Sequence, residues 1–305
     1  MSRGRWWFAL QAVAGGAWWV LVATVPTVRT LTLGTLNPVL VAAFDVPLFV
    51  VASALAATGL RWAAVLATGW TAVVLAGMVL WATATREAGW GVVAMTAATV
   101  GSVLALCLVL LGRIPTELVT SGPLRFRTAD PDAGRHRHVL GTALQIVVFW
   151  GLFLGVFPLV IVAAETRWRL RPALPGPVVD VLVDTGVVVF VLASLLGLAS
   201  AVSMSTRGAG TPLPSAMPNR LVVAGPYRVV RNPMALAGIT QGAAVGLVTA
   251  SWMVLVYAVA GSIVWNCVVR PLEEADLEER FGDDFRRYAA AVRCWVPRLR
   301  PVARL

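Results

Sequence analysis

The chain has 305 residues, 58% of them hydrophobic and only 13% charged, with a mean hydropathy of +0.80. That balance excludes an ordinary water-soluble domain and points to lipid as the solvent. The formal charge of +10 comes from arginine alone, because the sequence contains no lysine. These arginines sit at the flanks of apolar runs, the pattern of a membrane protein and not of a nucleic-acid binder.

Six runs, 6–28, 39–60, 62–83, 91–111, 139–163 and 178–203, each offer the roughly 20 apolar residues that cross a bilayer core of about 30 Å. The first is too long for the apolar region of a signal peptide and ends without a clear cleavage site, so it reads as a retained helix. Asp45, just ahead of Pro47, is expected to be an interfacial cap, with a buried functional acid as the minority reading. With Arg86 and Glu87 it is the exception in a block poor in reactive groups. Residues 1–112 therefore read as a four-helix scaffold or substrate-side accessory.

Residues 113–138 are polar, turn-rich and basic, and form a linker. Its His136 and His138 read as part of a solvated loop. Cys107, Cys267 and Cys294 have neither CxxC spacing nor a histidine at metal-ligand spacing, which supports no zinc site and no disulfide framework. Residues 139–305 form the second block. Within it, 205–233 is too rich in proline and glycine for one regular helix. The apolar stretch 234–269, interrupted by "TAS" at 249–251, suits a hairpin of two segments, 234–249 and 252–269. Beyond it, Leu277, Phe281, Phe285, Tyr288 and Val292 recur at helical spacing and define an apolar face. Gly282–Asp283 reads as the end of one short helix and the start of the next.

The expected fold is thus an all-α integral membrane protein with about eight transmembrane segments, the last two a hairpin, followed by a short cytoplasmic helical region. Arginine placement puts both termini in the cytoplasm, with Arg167, Arg169 and Arg171 dissenting on the opposite side.

The polar residues of the second block concentrate at the two ends of the hairpin. Tyr227, Arg228, Arg231 and Asn232 precede it; Arg270, Glu273, Glu274 and Asp276 follow it. A hairpin brings its ends together, so the clusters should face each other across one site. Arginines, carboxylates, an amide and a phenol can hold a zwitterionic amino-acid moiety and ribose hydroxyls. Taken singly, each residue is equally consistent with interfacial anchoring or with matching a helix dipole.

Together, "GPYRVVRNPM" at 225–234 and "RPLEEADLEERFGDDFRRYAAAVRCWVPRLRP" at 270–301 resemble the isoprenylcysteine carboxyl methyltransferase and phospholipid methyltransferase family in its bacterial branch, over about 139–305. The resemblance rests on a GPYR-x-x-R-[HN]-P-like stretch, a helical hairpin, an R-x-x-E-E stretch and a terminal aromatic segment, in that order. It implies an integral-membrane methyltransferase using S-adenosylmethionine. Tyr227, Arg231, Asn232, Pro233, Glu273 and Glu274 would then bind the cofactor, and Arg270 would stand at the methyl acceptor as the catalytic residue. Asn232 stands where many members have His, and Ala235 where Tyr is frequent. The expected partner is a lipophilic acceptor, a lipid or a lipidated molecule, in a bacterial inner membrane, with no nucleic acid. A membrane NADPH-dependent reductase of the sterol type is the alternative, and a non-enzymatic scaffold or transporter a second one.

Overall fold

The computed structural model describes residues 3–118, 129, 135–209, 211 and 217–298. Most of the 113–138 linker and part of the 205–233 segment therefore lie outside the described residues. What is described is helical, apart from connecting turns and irregular stretches.

Helix α1 is Arg3–Thr24 and α2 is Pro26–Leu33. The break between them shortens the first expected run at its C-terminal end. Pro26 disfavours helical geometry at Val25, and Val25 is extended at φ −120° and ψ 101°. Helix α3, Pro38–Thr58, contains a π-helical turn at Val46–Val51. Helices α4, Arg61–Thr85, and α5, Gly89–Leu111, follow. Helix α6 comprises Arg135–Phe149, a π-helical stretch Trp150–Val156 and Phe157–Arg167. Helix α7 is Gly176–Arg207 and α8 is Pro233–Val248. Helix α9, Trp252–Val264, runs through a π-helical turn at Trp265–Val269 into α10, Arg270–Ala291.

Seven helical stretches are long and apolar enough to cross a membrane, and α8 is a shorter apolar helix of 16 residues. Its length is about 24 Å at 1.5 Å per residue. The continuous 40-residue stretch 252–291 would be about 60 Å, twice a bilayer core. Its apolar part ends at Val269, and Arg270 marks the exit. Residues from Arg270 onward therefore lie beyond the span.

The chain divides into two compact units, 1–115 with 163–171, and 116–162 with 172–305. In the first, small residues permit close helix packing, as membrane interfaces favour. Ala52, Ala56, Ala63, Ala64, Ala67 and Ala105 surround Phe8 in one buried cluster. Two arginines satisfy the free carbonyls at helix C-termini, where a cation also matches the dipole. Arg5 donates to the carbonyls of Ala57 and Thr58 at the end of α3. Arg167 donates to those of Thr83 and Ala84 at the end of α4. Arg167, one of the dissenting arginines, is thus held by a helix terminus.

Asp45 corrects an expectation. Asn37 caps α3, its Oδ1 accepting from the amides of Val39 at 3.0 Å and Leu40 at 3.2 Å. Asp45 lies two turns further in, 6% exposed. Its two carboxylate oxygens accept from the indole nitrogens of Trp19 and Trp70, each at 2.9 Å.

In the second unit α7 and α8 make the most extensive helix pair. Gly186 allows it: a Cβ there would stand 2.9 Å from both the Ala244 carbonyl oxygen and the Val248 nitrogen. The buried Gln241 donates across this seam to Ser194 at 2.9 Å. The hairpin turns at Thr249–Ser251, where Ala250 takes a positive φ of 47° and Ser251 caps α9 by accepting from the Val254 amide. The apolar face expected after the hairpin packs as a cluster of Phe285, Tyr288 and Val292, joined by Leu277 and Phe281. Gly282 breaks helical geometry at φ 52° and ψ −123°, as the sequence suggested, but the Asp283 carboxylate pairs with Arg286 at 2.5 Å.

Candidate functional site

The segment Gly225–Arg228 is a short 3-10 turn, and Pro233 opens α8 as its first residue, where a missing N–H is harmless. Between them the chain is extended enough to pair with the returning C-terminal segment. The amides of Arg231 and Asn232 donate to the carbonyls of Arg293 at 3.0 Å and Cys294 at 3.4 Å, and the Arg298 amide donates to Val229 at 2.9 Å. Tyr288 locks the same region, its hydroxyl donating to the Tyr227 carbonyl at 2.8 Å.

The two polar clusters do meet. Arg231 donates to Glu274 Oε1 at 2.9 Å and to the carbonyls of Ala289 at 2.9 Å and Val292 at 3.4 Å. Arg270, at the membrane exit of α9, donates to Cys294 Sγ at 3.6 Å. Asn232 donates to the same sulfur at 3.3 Å. Asn232 occupies the N-cap position of α8, yet its side chain makes no capping hydrogen bond. Cys294, which the sequence reading set aside, thus ties residue 232 to residue 270. Trp295, next along the chain, donates to Asn266 Oδ1 on the π-helical turn at 3.0 Å. The recurrence of polar partners around the tail segment was invisible in sequence because neither residue is charged.

Tyr227 is buried, with its hydroxyl 3.9 Å from Met204 Sδ. Burial, reinforced by the nearby Glu273 carboxylate, holds its phenol well above the usual range. Glu273 is the unusual acid. Burial, then the carboxylates of Glu274 and Asp276, push its pKa up to about 7, and its Oε2 is buried without a hydrogen-bond partner. Asp276 instead pairs with Arg280 at 3.1 Å. Pro233 is fully buried.

Buried polar atoms normally find partners. Arg231 Nε, Arg270 Nε, Trp265 Nε1 and Glu273 Oε2 do not, and all four belong to the hairpin's two ends. An open cavity of about 620 Å³ lies elsewhere in this unit, lined by Arg207, Leu221–Ala224, Asp284 and Arg287. None of the expected site residues lines it, and its Asp284–Arg287 pair is about 70% exposed. Solvent already satisfies those charges, so the cluster with unsatisfied buried groups is the better candidate.

The second unit is thus all-helical among its described residues, with a cation–carboxylate cluster where the hairpin leaves the apolar layer. Residues 182–284, from within α7 through the Gly282 kink, match the family model described as phospholipid methyltransferase. The resemblance read from the sequence is thus supported over this segment, about a third of the chain, and the description of that family names phospholipid methylation as its activity. Residues 139–181 and 285–305 lie outside the match. No curated protein and no solved structure matches the chain.

Proposed function

We propose that the protein transfers a methyl group from S-adenosylmethionine to a lipophilic acceptor that reaches the site from the bilayer, at the cytoplasmic face. The observation that carries this reading is the concentration of unsatisfied buried donors and one unsatisfied carboxylate oxygen at the hairpin's ends. That donor set fits the cofactor: arginine N–H groups suit its carboxylate, and carboxylates suit its ammonium and ribose hydroxyls. Tyr227, Arg231, Asn232, Pro233, Glu273 and Glu274 would hold it, and it would supply a methyl already activated on a sulfonium.

The protein's own contribution is then positioning. A collinear approach of nucleophile to methyl, held near contact and dry, supplies most of the rate. Arg231 is fixed by two backbone carbonyls and Glu274, so it fixes the carboxylate in turn. Arg270 stays cationic at any working pH and orients an anionic acceptor. For an amine acceptor, Glu273 has a pKa near neutrality and can take the proton the nucleophile must lose. Carboxylate and amine acceptors are both compatible with this arrangement, and the matched family's name favours the lipid.

Calorimetry of the purified protein in detergent tests the reading, with S-adenosylmethionine binding expected and NADPH binding not. NADPH binding in the absence of S-adenosylmethionine binding would overturn it in favour of a sterol-type reductase.

A further inference from the structure

The first unit contains a cavity of its own, about 300 Å³, within the bundle of α1 to α5. Its wall is largely apolar, with Leu10, Phe49, Val74, Met78 and Met95 among its residues, and three polar side chains also line it: Gln11, Thr32 and Asp45. Two of these three are satisfied internally. Gln11 donates to Ser53 at 3.0 Å and accepts from Ser102 at 2.7 Å and Trp7 at 3.0 Å. The Thr32 hydroxyl donates to the Val28 carbonyl at 2.7 Å and accepts from Trp18 at 3.2 Å.

Asp45 differs. Its oxygens accept from Trp19 and Trp70, both neutral donors, and no cation pairs with it among the described residues. It lies seven residues into α3, about 10 Å from the helix start, inside a span with hydropathy 2.3. An acidic side chain at such depth is costly and is normally paired or functional. Two indole N–H groups hold and orient the carboxylate without neutralising it, which leaves it complementary to a cation brought by a ligand.

We propose that this cavity binds an amine-bearing, single-chain amphiphile, its ammonium against Asp45 and its hydrocarbon chain along the apolar wall. The volume is at the lower end of ligand pockets, which suits one chain and not the two of a diacyl lipid. Leu10 and Ala14 line the cavity and are exposed, so an apolar ligand can reach it from the side. An alcohol of the same length leaves the charge unpaired, and a fatty acid brings a second negative charge. The site lies outside residues 182–284 and is independent of the methyl-transfer reading.

The test is saturable binding of radiolabelled dodecylamine to the full-length protein in detergent, with dodecanol and dodecanoate as comparisons. The wild type is expected to bind the amine at least about tenfold more tightly than the alcohol, the value of one charge-assisted contact. Asp45→Asn should reduce amine binding to the level of the alcohol. Ala98→Leu, which fills the cavity with Asp45 intact, should weaken both ligands. Equal binding of amine and alcohol by the wild type overturns the proposal, as does unchanged amine binding in either variant. Should Asp45→Asn fail to fold, the wild-type preference and Ala98→Leu still decide. A C-terminal site that fails to bind S-adenosylmethionine would leave these outcomes untouched.

Discussion

Arg231 and Glu274, 43 residues apart, form an ion pair at 2.9 Å that joins the segment just before α8 to the second turn of α10. The pair is half-buried, at 15% and 29% side-chain exposure, whereas Arg286–Glu278 nearby is 57% and 51% exposed. Removing Arg231 also frees the carbonyls of Ala289 and Val292. Arg231→Ala is therefore expected to cost roughly 2–4 kcal/mol, and Glu278→Gln under about 0.5 kcal/mol. Unfolding in detergent measures both. Equal costs would mean that the pair does not hold the hairpin's ends together.

Glu273 should impose a pH dependence of its own. Its folded pKa of about 7 lies above the ordinary 4.5, so the folded chain binds this proton more tightly than the unfolded chain. Its contribution to stability is full below about pH 4.5, declines as pH rises to about 7, and stays lost above that. Glu273→Gln removes the buried charge. The variant is expected to be more stable than wild type at pH 8, by up to about 3 kcal/mol at about 1.4 kcal/mol per unit, with little difference at pH 4.5. Melting curves at the two pH values give the answer, and parallel behaviour at both would show that Glu273 is not desolvated.

Asn232 separates cofactor contact from local structure. Its side chain does not cap α8 and reaches Cys294 instead, so loss of capping cannot explain a substitution here. Asn232→His retains a donor and is expected to keep most S-adenosylmethionine affinity. Asn232→Asp loses the donor and should weaken binding by about ten- to a hundredfold. Calorimetry distinguishes them; normal binding by Asp with loss in His would remove this residue from the ligand's surroundings.

The fragment 139–305 is expected to bind S-adenosylmethionine without the first four spans. Every residue proposed to hold the cofactor belongs to the second compact unit. Residues 163–171, however, group with the first unit, so the fragment exposes Trp168 and leaves Arg167 without the α4 carbonyls. Its melting temperature should fall while affinity stays within about threefold of the full chain. A folded fragment with no affinity would mean that the first unit completes the site.

The spans were legible because a bilayer imposes a length and a polarity on every crossing, and both are written locally. The hairpin, its turn at 249–251, the Gly282 break and the apolar face through Phe285 and Tyr288 followed from local rules in the same way. So did the juxtaposition of Arg231 with Glu274, because a hairpin of known length returns its ends to one place. What sequence could not assign was which partner each polar group takes once several are within reach. Asp45 has the local context of a cap, but Asn37 takes that role, and the carboxylate is claimed by two tryptophans from α1 and α4. Asn232 has the position of a cap and spends its amide on a sulfur 62 residues away. Cys294 carries no charge or motif, and enters the site only because the tail pairs back along residues 229–232. Hydropathy and helix periodicity depend on near neighbours in the chain, whereas hydrogen-bond partners and buried charges depend on neighbours in space. The first kind of information fixed the spans and carried the family resemblance; the second decided which polar atoms meet at the hairpin's ends.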